Sequence, residues 1–170
     1  GRSRRRALAD LGVLALFGGL LVGLVVWSAH WATLTNHPRS FLVTMLAQLA
    51  AYGLAAGWVI LRRPPARVTL ALIFLVALAA RIAFTVQTPS ASDDIYRYVW
   101  DGRIQAQGIN PYRYAPSDPA LATYRDPAIY ERVNRPKVIT IYPPVAQGLF
   151  HALYWLHPDS ITWTKLALSG

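Results

Sequence analysis

Apolar residues in this chain are gathered into blocks and are not dispersed as in a soluble core. Residues 11–27 contain no charged side chain and follow the basic cluster Arg2, Arg4, Arg5 and Arg6. Further apolar blocks occupy 41–61 and 68–86, separated by Arg62, Arg63, two prolines, Ala66 and Arg67. Each approaches the ~20 residues a helix needs to cross a hydrocarbon core about 30 Å thick, so the pattern predicts transmembrane helices at about 8–31, 41–61 and 68–86. A cleaved signal peptide also starts basic, but its apolar stretch is about 7–15 residues. No small-x-small cleavage site follows here, and the first block reads as an anchor.

Beyond residue 86 the pattern changes. Ser92 suits an N-cap, Asp93 and Asp94 suit the first turn of a helix, and Gly108 suits its end, which predicts a helix over about 93–107. On it Asp94, Tyr98 and Asp101 share a stripe, and Asp93, Arg97 and Asp101 form a ladder of opposite charges at i, i+4. Ile95, Val99 and Ile104, near Trp100, give the helix an apolar side that could lie on a membrane surface or the top of a bundle. Residues 111–136 are rich in Pro, Tyr, Asp and Arg and predict an ordered loop with one short helix near 127–133. Two prolines then open a helix over 144–156 that is too short to cross a membrane, with Tyr154 and Trp155 suited to an interface. Asp159 or Ser160 caps a further apolar pattern from Ile161. The chain opens on Gly and ends as that pattern begins, so the reading expects a fragment. The fold class expected is an all-α integral membrane helix bundle with a large loop, 87–140, outside the membrane.

Composition narrows the chemistry. The 170 residues are 54% apolar and 15% charged, with net charge +9 and no cysteine. Disulfides and thiolate chemistry are therefore excluded. The positive charge sits largely in arginine clusters flanking apolar spans, which orients membrane helices and argues against nucleic acid as a partner. By that rule the N-terminus and the 62–67 loop are cytoplasmic and 87–140 is extracytoplasmic. That segment carries seven Lys/Arg against six Asp/Glu, and long loops cross largely regardless of charge.

Within the spans, Gly19 with Gly23 and Gly53 with Gly57 have the small-xxx-small spacing that lets helices approach closely. Gln48 calls for an interhelical hydrogen bond. Arg81 either snorkels to the outer interface or marks an anion site there.

No phosphate loop, dinucleotide fingerprint or zinc-protease pattern is present, and His30, His37, His151 and His157 lack metal-ligand spacing. What remains is a carboxylate pair, arginines (Arg97, Arg103, Arg113, Arg125) and aromatics (Tyr96, Tyr98, Trp100, Tyr112, Tyr114), a set suited to sugar and phosphate together. A carboxylate can accept a proton from an attacking hydroxyl, and arginines can stabilise a departing phosphate. The acidic pair also has a plain reading as helix-end electrostatics.

The segments Ser-Asp-Asp-Ile-Tyr-Arg-Tyr-Val-Trp-Asp-Gly-Arg (92–103), Gly-Ile-Asn-Pro-Tyr-Arg-Tyr-Ala-Pro (108–116) and Thr-Ile-Tyr-Pro-Pro-Val-Ala-Gln (140–147) resemble the N-terminal part of bacterial membrane glycosyltransferases of the C-type fold. The similarity is to polyprenyl-phosphate-mannose-dependent mannosyltransferases, including glycosyltransferase family 87, and covers about 81–147. It implies many transmembrane helices, a polyprenyl-phosphate sugar donor, a glycan or lipid acceptor, and a catalytic acid in the first large extracytoplasmic loop. Carried over, that acid falls on Asp93 or Asp94. Asp94 is favoured as base, with Asp93 as its partner, or both as contacts of Mg2+ or Mn2+ if a divalent ion is used. Arg97 and Arg103 would meet the carrier phosphate with Arg81 from below, and Tyr98, Asp101, Tyr112 and Tyr142 would line the site, Tyr142 at its mouth. In many relatives the loop follows the first span; here it follows the third, which keeps it on the same side. The alternative is a non-enzymatic scaffold or transport subunit whose outer loop binds lipid or a partner.

Overall fold

The computed structural model describes residues 2–31, 37–89 and 92–169. It is all-α, with helices α1 (Arg2–Trp31), α2 (Pro38–Arg62), α3 (Ala66–Val86), α4 (Asp94–Ala106), α5 (Pro144–Leu156) and α6 (Ile161–Ser169). Short 3-10 helices occupy Pro119–Tyr124 and Tyr130–Arg132. The chain divides into two compact units, 1–91 and 92–170.

In the first unit α1 packs against both α2 and α3. All three contain stretches long and apolar enough to cross a membrane, Arg5–Ser28, Pro38–Arg62 and Ala66–Val86. The second begins earlier than the apolar block because Pro38 occupies the first turn, where its missing N–H costs nothing. Leu16, Val43, Leu49, Ile60 and Phe74 face outward, the reverse of a soluble bundle and what a hydrocarbon solvent permits. This is an all-α membrane protein. Thr44 and Thr69 hydroxyls donate to the carbonyls of Ser40 and Pro65 one turn back, which satisfies them without a partner helix.

Polar contacts within this unit are sparse and specific. Asp10, the sole acid of the first 91 residues, is buried and accepts from Arg62 Nε at 3.2 Å, tying α1 to α2. Close helix approach occurs at Gly18, where an added Cβ would lie 2.5 Å from Val76 Cγ2 on α3. The spacing rule had singled out Gly19, Gly23, Gly53 and Gly57. An added Cβ at any of those four meets nothing within 4 Å, so none makes the close approach in this unit. Gln48 lines an apolar cavity of about 540 Å³ with Tyr52, Val59, Leu72 and Val76.

The second unit is built around α4, most of which is buried, including every residue from Val99 to Ile104. Tyr96, Val99, Trp100 and Ile104 pack with Leu121, Ile129 and Val133 from the following loop. The apolar side of α4 is thus covered by its own unit and not laid on an external surface. The loop that covers it is ordered by side-chain caps. Asp118 accepts from the Ala120 N–H, and Asp126 from the Ile129 N–H. Helix α4 ends as Gly108 predicts, with φ +75°, Gly108 N–H donating to the Gln105 carbonyl and Ile109 N–H to the Ile104 carbonyl. Helix α5 starts at Pro144, with the Gln147 N–H bonding the Pro143 carbonyl. Ser160, and not Asp159, caps α6 by accepting from the Trp163 N–H.

Candidate active site

The sequence around the start of α4 sets the direction of its two acids. Ser92 Oγ accepts the Asp94 N–H at 3.1 Å, while Asp93 stands at the N-cap position without a side-chain cap bond. Capping therefore does not consume either carboxylate. Asp94 Oδ1 instead accepts a 2.6 Å hydrogen bond from Asn134 Nδ2, on the segment that returns past α4. Asp93 is exposed, and its charge acts on Arg132, which donates to the Tyr96 hydroxyl at 2.8 Å.

One turn further along, Arg97 and Asp101 form the predicted i, i+4 pair, but as a buried one: Nε donates to Oδ1 at 2.8 Å and the two residues are 5% and 2% exposed. Arg97 Nη1 donates to the Val138 carbonyl at 3.0 Å. Its Nη2 is buried with no hydrogen-bond partner among the described residues. On the other side, Asp101 Oδ2 accepts from Gln147 Nε2 at 2.7 Å, and that amide also donates to Thr140 Oγ1. Gln105 completes the network by donating to Gln147 Oε1 at 2.9 Å. The network joins α4, α5 and the segment that leads into α5, and its bonds to Arg97 and Asp101 are charge-assisted in a buried setting, where each contributes more than at a surface.

Tyr98 stacks on Phe150 with ring centroids 4.4 Å apart and meets the edge of Tyr142 at 5.1 Å. Tyr112 Oη donates to the Tyr142 carbonyl at 2.5 Å. Burial pushes the Tyr142 phenol well above its ordinary range; Tyr98 and the Asp94 carboxylate act in the same direction, and Arg97 opposes them. Tyr142 consequently remains a neutral donor at physiological pH and is no proton acceptor.

Asp94, Arg97, Tyr98 and Tyr142 are thus brought into one neighbourhood, with Asp101 and Tyr112 holding it from behind. Arg103 is placed elsewhere. It lies nine residues beyond Asp94, about 14 Å along the helix axis at 1.5 Å per residue, and its guanidinium is engaged by Asp126, by Asp159 at 2.5 Å and by the Tyr124 carbonyl at 2.9 Å. Burial alone would lower its pKa, but the Asp159 and Asp126 carboxylates outweigh that and raise it. Arg81 belongs to α3 of the first unit, at an exposed position. Among the described residues no three His, Asp or Glu side chains gather as a metal cage.

Three members of the neighbourhood carried no sequence signal of their own. Asn134 sits in an aperiodic loop, Phe150 reads as an ordinary apolar helix residue, and Gln147 closes a motif in which Tyr142 is the residue with evident chemistry. Folding alone brings them to α4.

No curated protein and no solved structure matches the chain. A family model described as alpha-(1->6)-mannopyranosyltransferase, N-terminal domain, matches residues 10–168 and so takes in both units, from the membrane helices to the acidic site on α4. By that match the chain belongs to the alpha-(1->6)-mannopyranosyltransferase family, whose chemistry is the transfer of mannose.

Proposed function

We propose that the chain contributes the catalytic base to an inverting transfer of mannose from a polyprenyl-phosphate carrier to a glycan or lipid acceptor on the extracytoplasmic face of a bacterial plasma membrane. The observation that carries this reading is the convergence of Asp94 with Tyr98, Tyr142 and the buried, incompletely paired Arg97. Asp94 accepts the proton of an acceptor hydroxyl as its oxygen attacks the anomeric carbon. The bond from that carbon to the phosphate oxygen breaks, and its electron pair leaves with the polyprenyl phosphate. Arg97 supplies positive potential for that departing charge, and Tyr98 and Tyr142 supply aromatic surface and neutral donors for the sugar. The arginine clusters at 2–6 and 62–67 favour the cytoplasm, and three spans then carry the acidic site outside. There a lipid-linked donor is the available activated sugar. The family match favours this transferase over a scaffold or transport subunit.

The test is mannosyl transfer from polyprenyl-phosphate mannose by the full-length enzyme. Asp94→Asn should lower kcat by about 10²- to 10⁴-fold, and Asp93→Asn should lower it much less. Wild-type turnover in Asp94→Asn would defeat the assignment.

A further inference from the structure

A base at the first residue of a helix has a particular weakness: its carboxylate points away from the helix body and can swing between rotamers unless something outside holds it. In this chain that outside group is one amide. Asn134 Nδ2 reaches Asp94 Oδ1 at 2.6 Å, across 40 residues of sequence, a short charge-assisted bond. We infer that Asn134 is the positioning residue of the transfer reaction, fixing one oxygen of Asp94 so that the other faces the acceptor hydroxyl. The inference rests on the reading of Asp94 as general base.

The segment bearing Asn134 is built to hold a side chain in place. Val133, immediately before it, is buried in the core cluster of the unit. Arg135, immediately after it, is held at φ +49°, a left-handed conformation that a residue carrying a Cβ adopts only against a steric cost. Beyond that, the Pro136 carbonyl accepts from the Ser117 N–H at 2.9 Å, and the Val138 carbonyl accepts from Arg97 Nη1 at 3.0 Å. The last contact returns the segment to α4 one turn beyond Asp94. Asn134 therefore hangs between a core anchor and a clamped turn, and its amide is aimed at the acid from a fixed base.

The choice of side chain also matters chemically. A neutral amide orients a carboxylate without adding a formal charge. An arginine at the same place would favour the ionised form more strongly and weaken the base. A carboxylate there would repel it and make the pair share a proton. That difference yields a readout that a merely structural residue would not move.

The experiment uses the full-length enzyme in membranes, with polyprenyl-phosphate mannose as donor, and follows kcat and KM across pH for Asn134→Ala and Asn134→Asp beside Asp94→Asn. Asn134→Ala should lose roughly 10- to 100-fold in kcat, the equivalent of one hydrogen bond to a charged group, with donor KM changed little. Asn134→Asp, nearly isosteric and so expected to fold, should move the acidic limb of the kcat/KM profile to higher pH by about one unit and recover activity as pH rises. An inactive Asp94→Asn together with an unshifted profile in Asn134→Asp and unchanged kcat in Asn134→Ala would overturn the inference while leaving the base in place. Full turnover in Asp94→Asn would instead remove the base reading, and the inference with it.

Discussion

Gly102 of α4 lies against Phe150 of α5 so closely that a Cβ at Gly102 would sit 2.5 Å from the Phe150 carbonyl oxygen and 2.8 Å from Tyr154 Cβ. The nearest obstacle is backbone, which cannot rotate away. This contact sets the spacing of the two helices that carry Asp94, Arg97 and Tyr98 on one side and Gln147 and Phe150 on the other.

Gly102→Ala should therefore cost about 1–3 kcal/mol through overpacking, despite the usual gain in helix propensity from glycine to alanine. Widening the gap would also separate Tyr98 from Phe150, now stacked at 4.4 Å. Thermal unfolding of the purified full-length protein and its mannosyl transfer rate check both effects, and a variant with wild-type melting and activity would show that the helices are free to part.

The Arg97–Asp101 pair yields a second expectation. Both residues are buried, so Asp101→Ala would leave a guanidinium without its carboxylate and Gln147 Nε2 without one of its two acceptors. Breaking a buried pair from one side costs about 3–5 kcal/mol. Replacing both residues together, as Arg97→Met with Asp101→Leu, should destabilise less than Asp101→Ala, since no uncompensated charge is buried. Activity should still be lost in the double variant, because Arg97 is gone. Denaturation midpoints measured with transfer rates separate the pair's contribution to folding from its contribution to the reaction.

How far the sequence reached depended on whether a feature was local. Helix α4 follows from Ser92, the acid pair and Gly108, all of which act within one or two turns, and the apolar spans follow from hydropathy summed over a window. Gly18, which meets Val76, has no spacing signal that sets it apart from Gly19 and Gly53, because spacing along one helix does not say which face meets a neighbour. Asp10 and Arg62 carry a second instance, since an ion pair between spans has no signature in either span. The site divides in the same way. Asp94, Tyr98 and Asp101 shared a stripe that could be drawn from helical periodicity, and Tyr142 was reached through a motif. Asn134 and Gln147 come from distant segments, and their partners are fixed only by the packing of the loop onto α4. Arg97 and Arg103 are equivalent in sequence as basic residues, and both are buried against carboxylates; Arg103 is engaged by Asp126, Asp159 and the Tyr124 carbonyl and acts as a clasp, whereas Arg97 Nη2 has no hydrogen-bond partner among the described residues.

That clasp gives the acid-side prediction. Burial alone would raise the pKa of Asp126, but the Ile129 N–H, the Arg103 guanidinium and the Ala128 N–H outweigh it and hold the carboxylate below its ordinary value of 3.8. A group more acidic in the folded chain than in the unfolded one stabilises the fold fully at pH above its unfolded value. That contribution is lost as pH falls through the lower folded value. Wild-type stability should therefore decline as pH drops below 3.8, and Asp126→Asn should remove this part of the dependence. At neutral pH Asp126→Asn should be less stable by about 1 kcal/mol, since both partners of Arg103 are partly exposed and solvent screens the pair. The two melting curves should converge on the acid side. No gap at neutral pH would mean that Asp126 acts through its Ile129 cap, which the asparagine oxygen can also accept, and a gap that persisted well below 3.8 would mean that the substitution costs something other than the charge.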